Sequence, residues 1–313
     1  MVAELGGFSE FFSRTSERLQ DFRSPSLASS KQQHPLVGDY IMRESGGAHV
    51  SGNQQPVSVR ESAAATMPMD TLRNNDAMAG YLRKFLDRFF YLGMSLLVAA
   101  VAIFGFSHTI GANLLHPDRP RPLILHIHAI VFSGWVVLFI TQSALVRASK
   151  VTLHRRLGIF GAILGGILPF LGITTALVMQ HWHGHLDGSN NAALSLPFND
   201  MLAFSIAFGL AIYWRRRPEF HRRLMLIATC CLTGAAFARF PESMVPGNAF
   251  YACVDLLILL GVLRDLLVAR RVHVVYRYGL PCMIAGQVVA QYLMLAAPSP
   301  WLMITHRIMQ WTA

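Results

Sequence analysis

The chain contains few charged residues for its length. Asp, Glu, Lys and Arg make up 14% of its 313 residues, and 53% are hydrophobic, whereas soluble domains carry about 25% charged residues. This shortage indicates that lipid, rather than water, surrounds much of the chain. The chain is also basic, with a net charge of +10. Because its arginines flank apolar segments, we expect a lipid bilayer as partner and no nucleic acid.

Cysteine is scarce too, and all four cysteines lie within apolar runs: Cys230, Cys231, Cys253 and Cys282. A disulfide framework would place them in polar loops at regular spacings, so the sequence excludes that class of small secreted protein. Buried thiols are predicted, and a reactive or metal-binding Cys230–Cys231 pair is the alternative. The sequence also has no Gly-rich phosphate loop, nucleophile elbow or His-Glu-x-x-His motif, so soluble-type hydrolase or nucleotide chemistry has no support.

The first 80 residues have no long apolar run and are rich in Ser, Gly, Gln and Asn, as in SPSLASSKQQHP. Such a segment cannot bury enough apolar surface to offset its chain entropy. We therefore predict that 1–80 is a disordered cytoplasmic tail, and it does not resemble a signal peptide. Alternatively the tail precedes the true start, for which the sequence offers Met67, Met69 and Met78.

From residue 89 onward, apolar runs recur with lengths near the roughly 20 residues that a membrane-spanning helix needs. The seven runs are 89–110, 122–146, 157–180, 198–214, 221–240, 249–269 and 276–297. The predicted fold is therefore all-α, a polytopic membrane helix bundle of about seven transmembrane helices over 81–297. A short interfacial segment at 298–313 follows it.

The numbers of Lys and Arg on the two sides of the predicted helices test this seven-helix arrangement. Sixteen fall on one side: Arg83, Lys84, Arg88, Arg147, Lys150, Arg155, Arg156, Arg215, Arg216, Arg217, Arg222, Arg223, Arg264, Arg270, Arg271 and Arg277. Four fall on the other: Arg119, Arg121, Arg239 and Arg307. Because Lys and Arg stay on the cytoplasmic side, we expect the N-terminus inside, the C-terminus outside and an inner-membrane location.

Three of the basic segments are similar to one another: LVRASKVTLHRRLG at 145–158, YWRRRPEFHRRLM at 213–225 and LVARRVHVVYRYG at 267–279. Each contains the end of an apolar run, basic residues, and a histidine that opens the next run. This pattern predicts three helical hairpin repeats that run in the same direction, preceded by one extra helix.

Six histidines are candidates for binding a cofactor. The inner set is His154, His221 and His273. Two imidazoles from neighbouring helices could ligate a haem b, or these histidines could be interfacial caps. The outer set is His108, His126 and His128. Because residues two apart on a helix point about 200° apart, only one of the last two could join His108 in a second ligand pair.

A histidine-rich loop and a set of three charged residues lie at the predicted outer side. The loop HWHGH holds three histidines, His181, His183 and His185, which could bind a divalent metal or simply be solvated. Asp200, Arg239 and Asp255 lie close to the apolar runs. Since carboxylates near hydrocarbon usually find a cation, we expect Arg239 to pair with one of these aspartates. The pair would be a static clamp or part of a proton or substrate path.

Glycines recur in the run at 157–180, where Gly161 and Gly165 have the spacing of small residues that let two helix backbones approach closely. We interpret these glycines as packing positions. A glycine-lined slot for a cofactor is the alternative.

The sequence from HIHAIVFSGW to LHRRLG, together with HRRLM, ND at 199–200, ARFP at 238–241 and VDLL at 254–257, resembles a widespread group of uncharacterised bacterial multi-pass membrane proteins. More distantly, the histidine of the second run, Gln142, Arg147 and HRRLG are similar to part of the ascorbate-dependent di-haem transmembrane cytochromes b. Those proteins place one histidine on each of four central helices. This chain has Asn199 and Asp200 where one such histidine is expected, so only one haem site is supported.

These features lead to three hypotheses. The first is a b-type haem protein or quinone-linked electron carrier, with His154 and His221 as axial ligands and a quinone or redox partner. The second is transport of protons, small solutes or metal through the bundle, by way of Asp200, Arg239, Asp255 and the outer histidines. The third is a non-catalytic membrane scaffold or partner subunit.

Overall fold

The computed structural model describes residues 69–111, 120–182 and 191–312. Within these ranges the regular elements are helices and short helical turns, without strands, which confirms the predicted all-α bundle. The helices are α1 (Met69–Ile110), α2 (Leu123–Arg147), α3 (Val151–Trp182), α4 (Ser195–Tyr213), α5 (Pro218–Cys231), α6 (Gly234–Phe237), α7 (Phe250–Ala269), α8 (Val274–Ala296) and α9 (Ser299–Trp311). A 3-10 turn at Ala192–Leu194 precedes α4.

Five of the described helical segments are long and apolar enough to cross a membrane: Arg83–Ile110, Leu123–Arg147, Val151–Trp182, Ala192–Tyr213 and Val274–Ala296. Two further helices, α5 and α7, correspond to the fifth and sixth predicted runs. The 14 residues of α5 span only about 21 Å, less than the ~30 Å of a hydrocarbon core. The coarse plan of several apolar spans is thus confirmed, whereas the count of seven, the orientation and the repeats stay predictions.

The single helix expected at 221–240 is wrong in its second half, because α5 ends at Cys231. The backbone then tightens: the Thr233 amide donates to the Cys230 carbonyl at 3.0 Å, and the Thr233 hydroxyl donates to the same carbonyl at 2.7 Å. These bonds satisfy the carbonyl that a longer helix would have paired. The four-residue α6 follows this break.

Both ends of the chain differ in part from the expected boundaries. α1 begins at Met69, inside the predicted tail, and residues 1–68 lie outside the described part of the chain. The predicted interfacial segment contains α9, a 13-residue helix. The Trp301 indole of α9 donates to the Ala192 carbonyl at 3.0 Å, which ties α9 to the start of α4.

Side-chain contacts place the basic connections at one end of the bundle. The rings of His154 and His221 have centroids 6.4 Å apart, which joins the α2–α3 connection to the α4–α5 connection. The Phe220 and His273 rings, 4.8 Å apart, join the α7–α8 connection to the same end. At the opposite end, the Gln291 amide donates to the Asn248 carbonyl at 2.6 Å. The grouping of basic loops therefore agrees with the structure, and the side that faces the cytoplasm stays a prediction.

The centre of the bundle is an aromatic cluster on α2 and α4. The Trp135 ring lies 5.4 Å from Phe204 and 5.6 Å from Phe208. A Cβ atom at Gly165 would overlap the Phe208 ring. The missing side chain therefore lets α3 approach α4, which supports the packing interpretation of the α3 glycines over the cofactor slot.

Candidate functional site

Two histidines of the basic end, His154 and His221, have their rings in contact. Each lies in the first turn of its helix, α3 or α5, just after a basic connection. Their ring planes are inclined by 78° and their centroids are 6.4 Å apart. The pair predicted from the repeated segments is therefore brought together.

The tautomer of His221 is set by the protein backbone. Its Nδ1 lies 2.9 Å from the carbonyl oxygen of Ala211, at the end of α4. A carbonyl oxygen only accepts hydrogen bonds, so Nδ1 carries a proton and donates it. In the neutral ring, Nε2 then keeps a free lone pair, which is the state in which an imidazole binds a metal.

The tautomer of His154 is set by Gln142 of α2, whose side-chain amide lies 2.6 Å from Nδ1 of His154. The amide nitrogen of Gln142 donates to Nδ1 and lies 3.3 Å from the His154 backbone carbonyl oxygen, and its oxygen accepts from the Gly158 backbone amide at 3.0 Å. The reverse orientation would place the amide oxygen against two acceptors and the amide nitrogen against a donor. In the neutral ring the proton of His154 therefore lies on Nε2. His154 could bind a metal through Nε2 only after Gln142 turns round.

The third inner histidine, His273, caps a helix and is not a candidate metal ligand. It is the N-cap of α8, and its Nδ1 accepts a hydrogen bond from the Val275 backbone amide at 3.2 Å. Its Nε2 lies 4.0 Å from a carboxylate oxygen of Glu219. Burial, aided by the neighbouring Arg223 guanidinium, lowers the pKa of His273 from 6.5 to about 4. An acceptor Nδ1 in a neutral ring leaves the proton on Nε2, so His273 is a helix cap.

The outer histidines are not brought together as a ligand pair by the recorded contacts of the described residues. His108 places Nδ1 2.8 Å from the Phe104 carbonyl in its own helix. The His128 ring stacks on Phe132, also in its own helix, with centroids 4.0 Å apart. The Nδ1 atoms of His126 and His128 are buried without a hydrogen-bond partner among the described residues. A second haem site thus gains no geometric support.

The proposed metal site in the HWHGH loop cannot be assembled from the described residues. His183 and His185 lie outside them, and His181 places Nε2 3.0 Å from the hydroxyl of Thr312. Across the described ranges, no cluster of three or more His, Cys, Asp or Glu residues could hold a metal ion.

The ion pair expected for Arg239 is absent from the ion pairs of the described residues. Asp200 instead accepts a hydrogen bond from the Tyr251 hydroxyl at 2.7 Å. Arg239 donates to the Ala235 carbonyl, and its guanidinium lies 4.7 Å from the Phe106 ring centre. Neutral donors and an aromatic face thus replace the ion pair. Asp255 likewise has no ion pair with Arg239, because Arg239 turns towards α1.

A buried ionic network at the basic end was not predicted from the sequence. Asp265 of α7 accepts from the Arg223 guanidinium of α5 at 2.7 and 2.8 Å, and from its neighbour Arg264 at 2.9 Å. Arg264 also pairs with Asp87 of α1. The sequence did contain an indication of this network, because an aspartate within an apolar run, such as Asp265, needs a cation. From the sequence, Arg223 and Arg264 were predicted only to lie on the cytoplasmic side of the membrane.

Searches of protein-family models, curated proteins and solved structures found no match to this chain.

Proposed function

We propose that the protein is an integral membrane electron carrier that binds one b-type haem between His154 and His221. The observation that carries the proposal is the placement of these two rings, with centroids 6.4 Å apart, at the starts of α3 and α5, two helices that both pack on α4. Two metal–nitrogen bonds of about 2 Å, with part of a ring at either end, separate opposed imidazole centroids by about 6 Å. The two rings therefore have the spacing that a shared iron requires.

The surroundings of His221 support the same assignment. Axial histidines usually donate Nδ1–H to a carbonyl or carboxylate, which fixes the ring and raises its basicity. The Ala211 carbonyl does this for His221 at 2.9 Å, so His221 can present Nε2 to a metal. At His154 the Gln142 amide nitrogen donates to Nδ1 at 2.6 Å, so haem binding requires that Gln142 turn and accept from Nδ1.

A haem bound by two histidines accepts and releases single electrons without binding substrate at the iron. In this function the protein would hold and orient the haem. His154 and His221 would hold the iron, and the Ala211 carbonyl fixes the tautomer of His221 that can do so. The basic end of the bundle supplies cations, among them Arg155 and Arg156 beside His154, that can offset the charge of carboxylate groups on a bound haem.

The test is the haem content of protein purified from haem-replete cells. We expect wild-type protein to be red, with a sharp Soret band and about one haem per chain. His154→Ala and His221→Ala should each lose this spectrum, either because haem is lost or because it becomes high-spin, since one imidazole alone does not complete the axial pair. His306→Ala is the matched control, since its ring lies on α9 and contacts Gln310. A colourless wild-type preparation, or a His221→Ala variant with the wild-type spectrum, would contradict the proposal.

A further inference from the structure

One carboxyl group of α4 lies within an apolar span. Asp200 follows the first residue of the span Ala192–Tyr213 by eight positions, which corresponds to about 12 Å along a helix axis. Because a hydrocarbon core is about 30 Å thick, Asp200 would lie roughly a third of the way across it. An ionisable side chain at such a depth is costly and usually marks a functional site.

The hydrogen-bond partners of Asp200 are uncharged. Its Oδ1 accepts from the Tyr251 hydroxyl of α7 at 2.7 Å and from the side-chain amide of Asn199 at 3.3 Å. Tyr251 is only 4% exposed, so its hydroxyl is held inside the bundle. Both bonds end on the same oxygen, and no described residue donates a hydrogen bond to Oδ2. The second carboxyl oxygen is therefore open to a proton.

Three other helices approach this turn of α4 with glycines. A Cβ atom at Gly234 of α6 would lie 3.3 Å from Oδ2 of Asp200, and one at Gly286 of α8 would overlap Oδ1 of Asn199. On α3, Gly172 packs against the residue of α4 that follows Asp200. These close approaches enclose the polar groups, and none of the three positions brings a charge.

The titratable groups near Asp200 are neutral or acidic. Besides Tyr251, α5 contributes the buried Cys231 thiol, which interacts electrostatically with Asp200 and with Asp255 of α7. Arg239, the cation expected to pair with Asp200, lies against an aromatic ring of α1 instead. The ion pairs of the described residues do not include Asp200. A negative charge on this carboxyl group would thus have no cation to balance it.

We propose that Asp200 is a reversible proton-binding site at membrane depth. An ionised carboxylate removed from water and left without a cation is so costly that the group takes up a proton instead. The protonated acid keeps the contacts of the site, because Oδ1 still accepts from Tyr251 and Asn199 while Oδ2 carries the hydrogen. Such a group is what proton transfer through a helix bundle requires, and it does not depend on the proposed haem.

Infrared spectroscopy of the full-length protein in lipid tests the site, because a protonated carboxyl has a carbonyl stretch above the amide bands and a carboxylate does not. We expect wild-type protein to show this band at neutral pH, to shift it in D2O, and to lose it reversibly at alkaline pH. Asp200→Asn should lose the band. Asp87→Asn is the matched control: its carboxylate is 56% exposed, so the band should be unchanged.

Tyr251→Phe is a second variant that decides the matter if Asp200→Asn fails to fold. It removes the hydroxyl that donates to Oδ1, so the band should move to higher frequency. A wild-type protein without the band, a band that survives in Asp200→Asn, or an unchanged frequency in Tyr251→Phe would overturn the proposal. Loss of the band on addition of sodium at constant pH would also overturn it, since a metal cation would then be the ligand. A colourless protein with the band would contradict the haem function and support this site.

Discussion

Asp265 receives the guanidinium of Arg223 through both carboxylate oxygens, at 2.7 and 2.8 Å, and both side chains are almost fully buried. Because Arg264 donates to the same carboxylate at 2.9 Å, one aspartate compensates two buried cations, and it joins α5 to α7. Arg264 extends the network to Asp87 of α1. Three helices are therefore held together at the basic end, close to the proposed haem ligand His221.

The first prediction concerns this network. Asp265→Asn leaves two buried guanidinium groups without their shared carboxylate, so we expect the free energy of unfolding to fall by about 3–5 kcal/mol. Unfolding in mixed detergent and SDS micelles would measure the loss. Asp87→Asn is the control, since its carboxylate is 56% exposed and should cost less than about 1 kcal/mol. Equal losses in the free energy of unfolding would show that burial does not determine how much each carboxylate stabilises the protein.

A pair of adjacent glycines gives the second prediction. A Cβ atom at Gly165 would overlap the Phe208 ring, whereas one at Gly166 meets nothing within 4 Å. Gly165→Ala should therefore lower the free energy of unfolding by about 1–3 kcal/mol. Gly166→Ala should leave stability unchanged or raise it by up to about 1 kcal/mol, because alanine favours helix. Thermal unfolding in detergent compares the two, and a tolerated Gly165→Ala variant would argue against close packing of α3 on α4.

The third prediction concerns the cap of α8. His273→Ala removes the acceptor for the Val275 amide and should cost about 1 kcal/mol, while His273→Asn, a good N-cap, should retain stability. The folded protein binds a proton at His273 only near pH 4, against 6.5 in the unfolded chain. Stability should therefore fall as pH decreases from about 6.5 towards 4, and change little through this group above 6.5. A wild-type pH slope that persists in His273→Asn would assign the dependence to other groups.

The orientation of Gln142 gives the fourth prediction. Gln142→Glu places a carboxylate beside Nδ1 of His154, which favours the tautomer with a free Nε2 and makes the ring more basic. We expect this variant to retain haem at least as well as wild type and to have a more negative reduction potential. Gln142→Leu fills a similar volume without a polar group or a charge, so it should change the reduction potential less than Gln142→Glu does. Potentiometric titration makes the comparison, and a potential unchanged by Gln142→Glu would exclude contact between this side chain and the ligand.

The fifth prediction concerns the threading of the chain. In a background without the four native cysteines, Ser149→Cys and Arg216→Cys should react with a membrane-impermeant thiol reagent from the same side, the cytoplasm. Ser299→Cys, which follows α8 at the other end of the bundle, should react only from the opposite side. Labelling of Ser299→Cys from the same side as the other two would contradict an odd number of crossings between the basic end and Ser299. Labelling of Ser149→Cys and Arg216→Cys from opposite sides would contradict the shared basic end.

The sequence predicted those features that follow from spacing and composition. His154 and His221 stand at the same place in two similar segments, each at the start of a helix, and the structure brings their rings together. The position of His273 in the third segment is equivalent, but a side chain at an N-cap has a nearby backbone amide to bind. Spacing alone did not reveal this competition between capping and ligation.

Features that depend on side-chain direction could not be predicted. Asp200 and Arg239 both lie near the outer boundary, yet Tyr251 of α7 reaches the carboxylate first, at 2.7 Å. The buried Trp135 N–H, which has no acceptor among the described residues, is likewise a property of packing. Sequence patterns carry no information on these distances.

The central claim is that His154 and His221 hold one iron between them, and electron paramagnetic resonance of the oxidised, purified protein tests it most directly. We expect the low-spin ferric signal of a haem with two imidazole ligands. In His154→Ala and in His221→Ala separately, that signal should be replaced by a high-spin signal or by the absence of haem. A wild-type protein without low-spin haem, or a low-spin signal that survives in either variant, would contradict the account.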